Sequence, residues 1–309
     1  MKAWIIRGYD GEERAELAEV ATPAPGPDEV LVKVVAAAVN PLDMKLARGH
    51  LRDVFPLELP HVLGTDLAGT VEGVGEKVTG WRVGERVLAR LQTIRGGAFA
   101  EYAVVPSRLL TRAPERLGFE DAAALVTVGA TAWQALFEVA RVSSSTRLLV
   151  TGGAGSVGSM AVRLAASVGA EVYATALARD VEVAKKLGAE RVFDGQREGH
   201  GKIDLEGLDV VFDTVGGDGQ RELFGLLRDG ALLAAIPMPP DAEAGPARNI
   251  DAQFVFHEAD GSRLSLVASY CAAKGITPAI DRVMPLSAGR DAIALVASGR
   301  ARGKVVLKP

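Results

Sequence analysis

A single cysteine, Cys271, stands among 309 residues, which excludes an internal disulfide and any metal centre built on several thiolates. Alone, it reads as a small core residue. Histidine is nearly as scarce: His50, His61, His200 and His257 are scattered, have no partners at metal-ligand spacing, and read as surface or satisfied core residues. No segment approaches the roughly 18 uninterrupted apolar residues of a membrane span, and the start, MKAWIIRGYDGEE, has too short an apolar stretch for a signal peptide. The chain is therefore expected to be cytoplasmic, with no membrane partner. A basic block is missing too: 35 Lys and Arg against 39 Asp and Glu leave a formal charge of -4, so nucleic acid is not an expected partner. There is no internal repeat and no low-complexity tract.

What is present is ordinary for a soluble globular protein: 48% apolar and 24% charged residues, a composition that supports a large core and not disorder. A length of 309 residues exceeds what one core usually serves, so two structural units are expected. Up to about Pro114, short strands at 3–7, 30–37, 69–74, 86–89 and 99–104 are punctuated by glycine and proline, the texture of a β-rich unit. From about Glu115 the texture changes. An alanine-rich helix over 122–137 precedes strands over 148–151, 171–175, 191–193, 209–213, 231–236 and 253–256, with helices over 180–187 and 220–228 between some of them. Six such strands suffice for a doubly wound sheet. Helices over 263–274 and 287–298 and a strand over 304–307 close the chain, and that tail is expected to rejoin the first unit. The stretch 237–248, PMPPDAEAGPAR, leaves the carboxyl end of a sheet strand, where ligands usually sit, and reads as a lid or as a bland surface excursion.

The most informative run is RLLVTGGAGSVGSMAVRLAASV, an apolar strand, closely spaced glycines and an amphipathic helix in order. Gly153, Gly155 and Gly158 fit the G-x-G-x-x-G pattern of a dinucleotide site, although a glycine-rich structural turn matches the glycines alone. In that reading Gly153 permits the tight turn, Gly155 leaves room for a pyrophosphate against bare backbone, and Gly158 lets the helix lie close on the strand. The amides that open the helix, at Ser156 and Val157, would face the phosphates. NAD sites carry an acid about 20 residues beyond the glycines for the ribose 2'-hydroxyl. Here the second strand ends at Tyr173-Ala174-Thr175-Ala176 with no carboxylate, and the first charges are Arg179 and Asp180. A cation suits a 2'-phosphate, so NADPH is favoured over NADH, while Arg179 also reads as a solvated helix-start residue and Asp180 as a helix cap.

Further motifs run over nearly the whole chain: Asn40-Pro41-Leu42-Asp43 with Lys45 and Gly49, GTDLAGTV from Gly64, GERV from Gly84, GAFAEY from Gly97, GATAW from Gly129 and GKVVL from Gly303. In their order and spacing the chain resembles the medium-chain dehydrogenase/reductase superfamily, and within it the zinc-independent, quinone oxidoreductase-like enzymes. The resemblance implies an α/β fold, with a β-rich GroES-like catalytic domain over 1–115, a doubly wound Rossmann NADP(H)-binding domain over 116–265, and a C-terminal return to the catalytic domain over 266–309. It also implies a homodimer whose sheets pair edge to edge.

Zinc-dependent members of that superfamily hold the metal with a cysteine, a histidine beside a glutamate, and a second cysteine or acid. Here Asn40 takes the place of the first cysteine and Thr65-Asp66 that of the His-Glu pair, and the cysteine-rich structural lobe is missing between Ala89 and Phe99. No zinc is expected. Without a Lewis acid, oxidation of an unactivated alcohol loses its means of stabilising the alkoxide. Hydride transfer to a quinone or to the β-carbon of an enone needs only positioning and a few donors. The expected activity is NADPH-dependent reduction of a small quinone or α,β-unsaturated carbonyl. The alternative is an NADP(H)-binding redox sensor or structural protein without turnover, since nothing supplies an obligatory acid or nucleophile.

The resemblance further implies Asn40 at the nicotinamide ribose or catalytic cleft, and Thr127 and Thr131 near the nicotinamide end. Lys45 is the one cation in the first motif able to steady an oxyanion, or else a solvated helix lysine. Thr175 and Arg179 fall at the ribose end, Val215 within DTVGG and Ile236 border the coenzyme, Phe254 and Phe256 lie near both coenzyme and subunit contact, and Lys304 reaches the pyrophosphate. Asp43 is read as fixing a local turn, and Asp66 as structural or functional. Many NADPH-using members carry a Ser-x-x-Lys and a tyrosine at the adenosine end. Those lysine and tyrosine positions fall here on Val181 and Gly195.

Overall fold

The computed structural model describes residues 1–11, 14–195, 202–241 and 249–309. Two compact units result: Met1–Thr127 together with Glu258–Pro309, and Val128–His257. The expected boundaries lay at 115 and 265; the observed division falls within a helix and ahead of one.

The first unit opens with strands β1 (Lys2–Ile6), β2 (Glu16–Glu19) and β3 (Glu29–Val39), helix α1 (Pro41–Ala47), and strands β4 (His61–Val62), β5 (Asp66–Val74), β6 (Arg86–Arg90), β7 (Tyr102–Pro106) and β8 (Leu110–Arg112). β1 pairs antiparallel with β2 and β4, while β3 pairs antiparallel with β5 and β7, and β5 continues to β6 and β8. The long strand β3 alternates, with Val30, Val32 and Val34 buried, so its apolar face meets Leu67, Val71, Val87 and Phe99 in one core. Helix α2 (Phe119–Trp133) then runs into a π-helical turn, Gln134–Val139. Residues Phe119–Val139 are long and apolar enough to cross a membrane by length and composition, which the sequence reading did not foresee. In this fold 67% of that window is buried against protein, the environment of a core helix.

The second unit alternates strand and helix: β9 (Arg147–Val150), α3 (Ser156–Ser167), β10 (Glu171–Ala176), α4 (Val181–Lys186), β11 (Arg191–Asp194), β12 (Leu208–Asp213), α5 (Gln220–Leu223), β13 (Leu227–Ala235) and β14 (Asp251–Phe254). Among the described residues they form a six-stranded parallel sheet in the order β11-β10-β9-β12-β13-β14. The strand order reverses beside β9, between β10 and β12, the switch point at which doubly wound sheets open a ligand crevice. The helix expected over 220–228 is much shorter. After α5 and one 3-10 turn, Leu227 already pairs with Leu208, because β13 begins before its apolar run and accommodates an irregularity opposite Leu208 and Val210.

The chain then returns to the first unit with α6 (Gly261–Lys274), β15 (Ile280–Pro285), α7 (Gly289–Ala297) and β16 (Lys304–Lys308). β16 pairs antiparallel with β3 and carries β15 on its other side. Helix α6 is capped by Asp260, whose carboxylate accepts from the Ser262 and Arg263 amides, and ends at Gly275 in the left-handed region.

Candidate coenzyme and catalytic site

In the second unit the glycine run forms the turn between β9 and α3. Gly152 makes the tight turn, with φ of 62°, so the sequence reading assigned that job one residue too late. Gly153 instead permits a close approach: a Cβ there would lie 2.6 Å from the Ala174 Cβ on β10. Gly155 caps α3, with no side-chain cap of its own. At Gly158 a Cβ would meet the Gly152 carbonyl oxygen at 2.2 Å, so the first helical turn sits directly on the loop backbone. The amides of Ser156, Val157 and Gly158 begin the helix and have no intrahelical carbonyl to bond, which leaves them as donors beside bare backbone. A pyrophosphate fits beside Gly155, where an added Cβ would meet only the Gly152 carbonyl oxygen, at 3.1 Å, and would fill the space in front of the helix amides.

The loop is held by a knot of hydrogen bonds around Asp213, a residue that the sequence reading named only as the start of DTVGG. One Asp213 carboxylate oxygen accepts from the Thr151 hydroxyl at 2.6 Å and from the Val215 and Gly216 amides at 3.0 Å each. The other accepts from Gln220 Nε2 at 2.8 Å. Thr214 closes the knot: its amide donates to the Thr151 hydroxyl and its own hydroxyl to the Thr151 carbonyl. A buried aspartate followed two residues on by Val-Gly-Gly was the available signal, since an Asp side chain readily accepts from amides just ahead of it. On the next strand the Thr175 hydroxyl accepts from the Gly152 amide at 3.1 Å and the Thr175 carbonyl from Gly153 at 2.7 Å.

Of the other expected coenzyme residues of this unit, Val215, Ile236, Phe254 and Phe256 lie at or just beyond the carboxyl ends of its parallel strands. Val215 is exposed, Ile236 follows β13 and donates its amide to the Asp213 carbonyl, and Phe254 and Phe256 are exposed with ring centroids 6.5 Å apart. Thr131 is buried on α2. Arg179 lies in a 3-10 turn just past β10, more than half exposed and 3.4 Å from Asp180. Asp180 takes the N-cap position of α4 as expected but makes no side-chain cap hydrogen bond there; its carboxylate lies beside the neighbouring guanidinium. Of the loop 237–248, residues 242–248 lie outside the described residues, as does His200.

In the first unit a second constellation gathers around Asn40, which ends β3 and caps α1. Asp43 closes a capping box, its carboxylate accepting from the Asn40 amide at 2.8 Å, as a turn-fixing role requires. Lys304, at the start of β16, is buried: its Nζ donates to the Val39 carbonyl at 2.8 Å and to Asn40 Oδ1 at 2.5 Å. The ammonium is thus already committed within this unit, a different engagement from the pyrophosphate contact implied by resemblance. Asp66, also buried, accepts from the Thr127 hydroxyl at 2.7 Å and the Thr127 amide at 3.1 Å, while Arg90 donates to that same hydroxyl at 2.8 Å. Two carboxylates and two cations are therefore packed out of water beside Asn40. Burial drives the Asp43 carboxyl up to about 7, a rise that Asp66 reinforces and Lys304 and Arg90 oppose. Burial likewise lowers Lys304 and Arg90, against the pull of Asp66 and Asp43. Lys45 stands exposed on α1, outside these hydrogen bonds.

No group of three or more His, Cys, Asp or Glu side chains placed to hold a metal is found among the described residues. The donor chemistry at the positions corresponding to zinc ligands does not fit zinc. Asn40 points its oxygen at an ammonium, and Asp66 is bound to Thr127 and countered by Arg90 and Lys304.

Family comparisons agree with this architecture. Residues 26–115 match the alcohol dehydrogenase GroES-like domain and residues 187–307 the zinc-binding dehydrogenase model. The chain is 34% identical to a 2-methylene-furan-3-one reductase of Solanum lycopersicum, over all of this chain and 79% of the relative. It is 32% identical to a chloroplastic NADPH-dependent alkenal/one oxidoreductase of Arabidopsis thaliana, over 100% and 80% of the two chains. A quinone oxidoreductase of Coxiella burnetii superposes with a TM-score of 0.92 at 28% identity, covering 100% and 99% of the two chains. With a GroES-like β unit, a doubly wound sheet whose glycine turn forms a dinucleotide cradle, and relatives of this identity along its full length, the chain belongs to the medium-chain dehydrogenase/reductase superfamily, among its quinone oxidoreductase-like members.

Proposed function

We propose that this protein is a zinc-independent, NADPH-dependent reductase of quinones or α,β-unsaturated carbonyls. The observation that carries the reading is the hydrogen-bonded interior found at these positions: Asn40, Thr65 and Asp66 stand where zinc-dependent members place ligands, Asn40 Oδ1 is bound to Lys304, and Asp66 is bound to Thr127. The names of the tomato, Arabidopsis and Coxiella relatives support the same class of acceptor. When bound, the reduced nicotinamide supplies the hydride. The chain's own work is to hold the coenzyme and to stabilise charge on the acceptor. Helix-start amides at Ser156, Val157 and Gly158 bind the pyrophosphate, and Arg179 meets the 2'-phosphate, which the uncharged end of β10 does not repel. Asn40 and Lys45 are the donors proposed for the nicotinamide ribose and for the oxygen that gains negative charge as hydride arrives. A solvent proton completes the enol or hydroquinone.

The test is to follow absorbance at 340 nm with purified protein, NADPH or NADH, EDTA, and a panel of quinones and enones. Oxidation of NADPH that survives EDTA and is faster than that of NADH is expected. Tight NADPH binding with no oxidation across the panel points instead to a coenzyme-responsive sensor, and activity that EDTA abolishes overturns zinc independence. Part of the same proposal is a homodimer through the open edge of β14, where Phe254 and Phe256 are exposed. Sedimentation at a monomer mass would remove it. Cytoplasmic residence belongs to the proposal too, and cell fractionation tests it.

A further inference from the structure

The Asn40 side chain has two ends of opposite character, and what faces each end decides its chemistry. An ammonium has three donors and no acceptor, so the atom 2.5 Å from Lys304 Nζ must be the amide oxygen. Lys304 has no freedom to release it: the side chain is buried, and a second N–H is tied to the Val39 carbonyl at 2.8 Å. The amide nitrogen is thereby turned the other way. It gives one N–H to the Ala38 carbonyl in a long bond of 3.3 Å and has no protein acceptor for the second among the described residues. Withdrawal of electron density at the oxygen also makes an amide N–H a stronger donor.

We propose that Lys304 is a positioning residue: it fixes the Asn40 amide in one orientation, so that Asn40 presents a permanent hydrogen-bond donor to an oxygen of the coenzyme ribose or of the reduced acceptor. The inference rests on the reductase reading for what lies opposite Asn40, but the orientation itself rests on the Lys304 contact. It also gives Lys304 a role through Asn40 in place of a pyrophosphate contact.

A double-mutant cycle tests it, using Asn40→Ala, Lys304→Met, and the two combined, with kcat, KM and the NADPH Kd measured well below the lowest unfolding temperature. Asn40→Ala is expected to lower kcat/KM or coenzyme affinity about 10- to 100-fold, as loss of one donor to a charged or polarised oxygen does. A drop in kcat assigns the donor to the acceptor oxygen, and a rise in Kd with kcat kept assigns it to the ribose. Lys304→Met should produce a loss of the same kind, and the double variant should be no worse than Asn40→Ala. Multiplied losses in the double variant overturn the proposal, since a merely structural lysine adds its own independent cost. Should Lys304→Met fail to fold, Asn40→Asp keeps the contact to Lys304 while replacing the donor by an acceptor. It is expected to match Asn40→Ala, and an Asn40→Asp protein as active as wild type refutes the donor role. A wild type that never turns over removes the reductase reading alone, because the same cycle is then read in NADPH binding.

Discussion

Substituting Gly158 by alanine asks whether the phosphate cradle is built as described. The added Cβ would lie 2.2 Å from the Gly152 carbonyl oxygen, 2.8 Å from its carbon and 3.1 Å from Gly153 Cα, all backbone atoms with no flexible end to swing aside. Relief to an ordinary contact of 3.4 Å requires about 1.2 Å of movement between loop and helix. Such overpacking costs roughly 1–3 kcal/mol of stability. The same movement pulls the Ser156 and Val157 amides away from the pyrophosphate, and losing one hydrogen bond to a charged group, about 1.5–3 kcal/mol, weakens NADPH binding about 10- to 150-fold. Gly155→Ala is the control, because its Cβ would lie 3.1 Å from the same carbonyl and meet nothing else of the protein. It should weaken coenzyme binding by crowding the pyrophosphate while leaving urea unfolding within about 1 kcal/mol of wild type. Coenzyme fluorescence titration and urea unfolding measure both quantities. A Gly158→Ala protein with wild-type stability and wild-type Kd would show that α3 does not rest on the loop as described.

Three shorter predictions accompany it. Arg179→Ala should raise the KM for NADPH about 3- to 30-fold and leave that for NADH nearly unchanged, since the guanidinium is exposed and shared with Asp180; equal effects on both coenzymes would detach Arg179 from the 2'-phosphate. Asp213→Ala strands the Thr151 hydroxyl, two amides and the Gln220 amide, so unfolding free energy should fall by about 3 kcal/mol or more, with coenzyme affinity falling as the loop loosens; a change below 1 kcal/mol in urea refutes the knot. Burial lowers His61 from 6.5 to about 4, so the folded state keeps it neutral where the unfolded chain takes up a proton. The stability it contributes is complete above pH 6.5 and is lost as pH falls toward 4, by at most about 3 kcal/mol; His61→Gln should flatten that limb of the stability profile, and an unaltered profile contradicts the assignment.

The elements most legible in the sequence are those whose signal is local. The buried strands β9 and β12 are short apolar runs with turn residues behind them, and α3 carries both its glycines and an apolar stripe, so the doubly wound sheet could be read before any coordinates. The weak elements lack such patterns. β2 and β15 are mostly exposed or half-buried, β4 is two residues long, and β8 three, each formed because a neighbouring strand offers unpaired backbone. The pattern G-x-G-x-x-G fits only from Gly153, so it passes over Gly152, whose role in the turn is visible only in its positive φ.

The amino-acid sequence alone determined the superfamily and the glycine turn, because each depends on residue type at short spacing. Tertiary structure decided where the charges went. Lys304 and Asn40 are 264 residues apart, and Asp66 and Thr127 are 61 apart. They meet because β16 pairs with the end of β3, where Val305 lies opposite Val39, and because β5 and the first half of α2 belong to the same compact unit. No local pattern encodes a buried ammonium holding a distant amide by its oxygen; burial removes water as the competing partner, and strand pairing across the fold supplies the Val39 carbonyl and the Asn40 amide oxygen in its place.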